Sequence, residues 1–175
     1  MTDDCTLVIF GATGNLAQIK LLPALYQLEA AGLLDPGVKI LCNGRTDFDT
    51  DSWLHKVRAA IDGHAREPTV DRLFERFAAR IRYLRGDISQ PDFYVQLRQE
   101  LGSDWYPRNH VFYVALPPAG YGTVVESLGQ AGMLDEAAGP WRRVVIEKPF
   151  GSDLHLSLIH ISEPTRQDTR SRIPS

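Results

Sequence analysis

Cysteine is scarce in this sequence, and long apolar runs and a basic leader are missing from it altogether. Only Cys5 and Cys42 occur among 175 residues. Each lies at the edge of an expected strand, without metal-ligand spacing or a secretory leader, so both read as reduced packing residues. No apolar run approaches the roughly 20 residues that a membrane-spanning helix needs. The opening MTDDCT is acidic and lacks the basic-then-apolar plan of a signal peptide. Excess positive charge is lacking too. A formal net charge of −3 argues against a nucleic-acid surface as the main business of the chain. With these classes set aside, the expectation is a cytoplasmic globular chain. At 43% hydrophobic and 23% charged residues it is long enough for one domain with a real core.

What is present is alternation. Apolar runs of strand length are expected at Thr6–Phe10, Lys39–Asn43, Ile81–Leu84, His110–Ala115 and Arg143–Ile146. Several, such as LVIF, VFYVAL and VVI, are apolar on both faces, as in a sheet buried on both sides. Between them lie segments of helical period. One is expected within Leu16–Ala31, ending at Gly32 with a kink or break at Pro23. Others follow the stripes Trp53-Leu54-Val57-Ile61, Val70-Leu73-Phe74-Phe77, Phe93-Leu97-Leu101 and Val124-Val125-Leu128. This order predicts a doubly wound, Rossmann-like α/β fold. It has a parallel sheet of about five or six strands, helices on both faces, and a switch point beside strand one. Residues 1–154 read as that domain. The tail from Leu156, LSLIHISEPTRQDTRSRIPS, continues no stripe, and SLIHISEPTR resembles a translated sequencing adapter. Residues 155–175 are therefore expected to be a disordered, non-native tail.

Gly11, Gly14 and Ala17 form GxxGxxA between the first strand and the first helix. In that context the first glycine permits a tight turn and the second lets a pyrophosphate approach the backbone. The third small residue lets helix pack on strand. The second strand then ends in Gly44-Arg45-Thr46, where an NAD site usually places an acid. Arg45 can instead neutralise a 2′-phosphate with a forked contact, which favours NADP. Asp47 and Asp49 sit further on. Two more strand ends point to the same cleft. VALPPAGY runs into Pro117 and Pro118, and VVIEKPFG ends in Glu147-Lys148-Pro149. An ionisable pair at the end of a buried strand is costly as packing alone.

Together GATGNLAQIKLLPALYQL, NGRTDF, FYVALPPAGY and RVVIEKPFG resemble the N-terminal coenzyme domain of bacterial glucose-6-phosphate dehydrogenases, in order from residue 6 to residue 154. The resemblance implies that Gly11, Ala12, Thr13, Gly14, Asn15, Leu16, Ala17 and Gln18 form the phosphate loop. It implies Arg45 as the 2′-phosphate clamp, Asp87 and Ile88 on the adenosine side, and Tyr121 along the cofactor. Lys20 and Lys148 would face the substrate, Lys148 touching the cofactor as well. The implied reaction, in the pentose phosphate pathway, is hydride transfer from C1 of glucose 6-phosphate to NADP, giving 6-phosphogluconolactone. The parent would be a homo-oligomer that uses no metal.

The sequence also departs from that family. Asn15 stands where Asp is usual, and Gln18 and Ile19 where more basic residues are usual. No RIDHYLGKE-type segment with its proton-accepting histidine occurs, and His155 and His160 lack a matching context. The expectation is a truncated chain without the C-terminal β+α domain, with no catalytic residue present and no turnover of its own. Two other readings remain. One is an oxidoreductase of the glucose–fructose oxidoreductase type, which shares EKP at a fifth strand. The other is a non-catalytic NADP-sensing module with no need of Lys148.

Overall fold

The computed structural model describes residues 4–137 and 139–147. Five parallel strands form one sheet: β1 (Cys5–Phe10), β2 (Lys39–Gly44), β3 (Ile81–Arg85), β4 (Asn109–Val114) and β5 (Arg142–Ile146), in the order β3-β2-β1-β4-β5. The chain reverses its direction of travel across the sheet between β3 and β4. The carboxyl ends of β1 and β4 therefore diverge into loops on either side of a crevice. Each strand matches its expected position to within a residue. Lys148 and the tail lie outside the described residues.

Pleating explains how one strand feeds two cores, because successive side chains point to opposite faces. Val8 and Phe10 of β1 join Phe112 and Val114 of β4 beneath α4 (Pro91–Leu101) and α5 (Tyr121–Gln130). Ile9, between them, joins Ile40 and Cys42 on the other face. That face is covered by α1 (Leu22–Ala30), α2 (Thr50–His64) and α3 (Asp71–Ala78). Trp53, Val57, Ile61 and Phe77 are the inward residues of the expected stripes. Cys42 is wholly buried and its thiol is pushed far up by desolvation, which suits the packing role expected of it.

Three local features were not expected. Pro23 does not break its helix; the irregularity lies just before it, as a change of helix type. A five-residue π-helical turn, Ala17–Leu21, runs directly into α1, and Leu22 donates its N–H to the Ala17 carbonyl. This i→i−5 widening accommodates the proline, which has no N–H and crowds the carbonyl four residues back. The second feature lies at the amino end of the sheet. Glu29, 2% exposed, pairs with Arg80 at 3.0 Å and with Arg76. Arg80 also donates to the Asp35 and Val38 carbonyls at 2.8 and 3.2 Å, tying the Asp35 turn to β3. Third, β5 is not buried on both faces. Val144 and Ile146 pack against the α5 side, but Arg143 and Val145 are exposed, because no described helix covers the opposite face there.

Candidate functional site

Three backbone hydrogen bonds prolong the ladders past the strand ends and fix the loops of the crevice. Ala115 donates to Phe10 at 2.9 Å, Ala12 to Asn43 at 2.8 Å, and Gly86 to Gly44 at 3.0 Å. The glycine turn sits at their centre. Gly11 has φ +79°, a region that side chains rarely adopt, and a Cβ there would lie 2.6 Å from the Ala115 carbonyl oxygen. Gly14 donates to the Gly11 carbonyl at 2.9 Å and accepts from the Gln18 N–H at 3.0 Å, closing the turn and starting the helix. The Gln18 side chain folds back onto the Ala12 carbonyl at 2.6 Å.

The eight residues of the expected phosphate loop divide by burial. Gly14 and Asn15 are exposed, while Gly11, Thr13, Leu16 and Gln18 are half-buried. Ala12 and Ala17 are wholly buried. Gly14 and Asn15 thus form an exposed corner at a helix start, where the dipole favours anions, although the Gly14 N–H itself is taken by the Gly11 carbonyl. Ala12 supports the turn from beneath, and Ala17 provides the close helix–strand contact expected of it.

The strand ends bring two more of the expected residues together. Arg45 is exposed and forms no ion pair among the described residues. Its charge reaches Asp87, whose carboxyl is held below the usual range first by the Ser89 N–H and hydroxyl and then by Arg45. Those Ser89 contacts are 2.9 and 2.8 Å long. Ile88 is half-buried and accepts from the Tyr94 hydroxyl at 2.9 Å through its carbonyl. Lys20 is exposed on the π turn. Tyr121 is 4% exposed and its ring belongs to the core. Its hydroxyl donates to the Glu147 carbonyl at 3.3 Å, so the ring lies beneath the crevice rather than on its surface. Tyr113 donates to the Glu147 carboxylate, and its own ionisation is pushed up by burial and by that carboxylate.

Sequence reasoning passed over the layer behind these residues. Asn43, 1% exposed, donates both amide hydrogens, to the Leu84 and Gly86 carbonyls at 3.1 Å each. Tyr83 donates to the Thr46 carbonyl at 2.7 Å, and Arg85 reaches Asp47 at 3.3 Å. Gly44 of the NGR triplet was the available signal, since a glycine ending a strand marks a close approach. A Cβ there would lie 2.7 Å from Thr13 Cγ2. A separate hollow, lined by Arg98, Tyr106, His110 and Arg142 among others, opens at the amino end of β4 and β5, away from the glycine turn.

Comparison with known proteins agrees with this geometry. Residues 8–166 match the family model described as "Glucose-6-phosphate dehydrogenase, NAD binding domain". The chain is 39% identical over 155 residues to the glucose-6-phosphate 1-dehydrogenase of Dickeya dadantii, covering 89% of this chain and 30% of that one. It is 38% identical to glucose-6-phosphate 1-dehydrogenase 2 of Mycobacterium tuberculosis over 154 residues, 86% of this chain and 30% of that one. The crystal structure of the Mycobacterium avium enzyme superposes with a TM-score of 0.76 at 34% identity, covering 90% of this chain and 32% of the other. A glucose-6-phosphate dehydrogenase solved with its substrate glucose 6-phosphate gives 0.73 at 26% identity, covering 90% and 33%. The chain thus spans about a third of the length of these relatives. By its glycine turn, its strand order and these matches, the chain belongs to the glucose-6-phosphate dehydrogenase family, within which it spans the NAD-binding domain.

Proposed function

We propose that this chain is the NADP-binding domain of an enzyme that moves a hydride from C1 of glucose 6-phosphate to NADP, giving 6-phosphogluconolactone. The observation that carries the reading is the exposed Gly14–Asn15 corner where the Gly11 turn, at the carboxyl end of β1, opens into a helix. When bound, the nicotinamide supplies the hydride acceptor. The chain's own residues orient it. Gly11 to Gln18 cradle the pyrophosphate, Asp87 and Ile88 bound the adenosine, and Tyr121 supports the loop that runs along the cofactor. The unpaired Arg45 at the end of β2 supports the choice of NADP, because the neighbouring Asp47 is already engaged by Arg85. Lys20, facing outward on its π turn, is assigned to the substrate end, together with Lys148.

The domain alone is expected to bind without turning over. Oxidising an alcohol needs a base within hydrogen-bond reach of its hydroxyl. His55 and His64 lie on α2 and His110 at the amino end of β4, so none of these three lies against the glycine turn. No described helix is long and apolar enough to cross a membrane. Titration calorimetry of the purified chain tests the coenzyme: NADP should bind at least tenfold more tightly than NAD. Equal affinity would undo the role given to Arg45, and a steady rate of NADPH formation would undo the assignment as a non-catalysing domain.

A further inference from the structure

The turn that carries Arg45 is held from beneath by a residue with no assigned role. Tyr83 stands on β3 opposite Cys42 of β2, two residues short of the strand end at Gly44 in register. Its ring is wedged between aromatic neighbours, with Trp53 at 4.6 Å and Phe48 edge-on at 5.5 Å between centroids. Held there, the hydroxyl passes close over Gly44, where a Cβ would lie 2.8 Å from it. It donates to the Thr46 carbonyl at 2.7 Å. Thr46 directly follows Arg45. On its far side, Asp47 is tied to Arg85 at 3.3 Å, but both of those side chains are largely exposed, and such pairs hold little. The Tyr83 hydroxyl is therefore the firmer of the two ties on the turn.

That tie matters because Arg45 has two places to go. It is exposed, and its charge already reaches the Asp87 carboxylate beyond the end of the neighbouring strand β3. A turn free to shift would let the guanidinium settle against Asp87 rather than wait for a ligand. We propose that Tyr83 is a positioning residue for coenzyme selection. Its hydroxyl fixes the Arg45–Thr46 turn so that the guanidinium is held ready for a 2′-phosphate. Gly44 belongs to the same device, since only a residue without a Cβ lets the hydroxyl reach the turn while Thr13 of the phosphate loop packs on the same spot. This inference rests on the reading of Arg45 as the 2′-phosphate clamp.

The test uses 2′,5′-ADP and 5′-AMP, which differ only in the 2′-phosphate, titrated calorimetrically onto the purified chain. Tyr83→Phe removes one oxygen and keeps the ring in its aromatic setting, so the fold is retained; a melting curve checks this. The unmodified chain should prefer 2′,5′-ADP at least tenfold. Tyr83→Phe should cut that preference about fivefold, the scale of one lost hydrogen bond, while 5′-AMP affinity stays within twofold. Combined with Arg45→Ala, which removes the clamp, Tyr83→Phe should have no further effect on the preference. Equal weakening of both ligands, an unchanged preference, or an effect that persists without Arg45 would each overturn the proposal. If the unmodified chain shows no preference at all, the NADP reading itself fails, and that outcome is visible before any variant is made.

Discussion

Burial keeps His110 neutral. The residue is 7% exposed, Arg142 stands opposite it on β5, and desolvation followed by that positive neighbour pushes its pKa down to about 4. In the unfolded chain the ring titrates near 6.5, so between these values the unfolded state binds more protons than the folded one. Stability should therefore fall as pH drops from about 6.5 to about 4. The loss is bounded by about 3 kcal/mol, the free energy of a shift of that size. Urea denaturation at pH 7 and pH 4.5 reads it, and His110→Gln should flatten the slope. Single residues also mark the limit of sequence reading. Arg45 could be picked out because a strand end after an NG pair is a recognisable place. Tyr83, a tyrosine inside a strand, carries no mark of the carbonyl it holds. Glu29 and Arg76 stand 47 positions apart, and no periodicity announces that they pair.

Among the elements, the glycine turn gives the sharpest separation of fold from binding. A Cβ on Gly11 would run into the Ala115 carbonyl and Leu116 at 2.6 Å, whereas one on Gly14 would lie 3.2 Å from the Gly11 carbonyl oxygen and 3.9 Å from that of Ala115. Gly14→Ala should therefore leave the melting temperature within a few degrees of the unmodified chain. NADP affinity should fall at least tenfold, because the new methyl occupies the phosphate's approach. Retained affinity would mean that the phosphates lie elsewhere. This turn was legible because strand, glycines and helix follow one another within a dozen residues. The π turn beside it was not. Pro23 signalled an irregularity, but whether the helix would bend, stop or widen depended on Ala17 and Leu22 both being buried against the sheet. Both are buried in one cluster, and the extra residue of the π turn is taken up between them.

Across the whole molecule, the alternating apolar runs were enough to give the strand order. They were not enough to give the exposure of β5, because a sequence names apolar residues without naming what covers them. β5 pairs only with β4 among the described residues, and Val145 on its open face is 37% exposed. An apolar strand at a sheet edge invites pairing with other chains. Val145→Lys should reduce light scattering of the purified chain on warming, while changing stability by no more than about 0.5 kcal/mol. Unchanged scattering would place the sticky surface elsewhere.

The position of β1 also bears on how the chain is made. It is the central strand, yet one of its two partners is β4, and the Thr6 hydroxyl is bonded to the Pro107 carbonyl 101 residues later. At the roughly 5–20 residues per second of protein synthesis, the first strand leaves the ribosome on the order of 5–20 s before that partner. During this interval β1, β2 and β3 can assemble, but the Val8 and Phe10 face lacks β4 and α5, and of its covering helices only α4 has been made. A nascent chain stalled before residue 109 should therefore be a stronger client for chaperones than one released after residue 130.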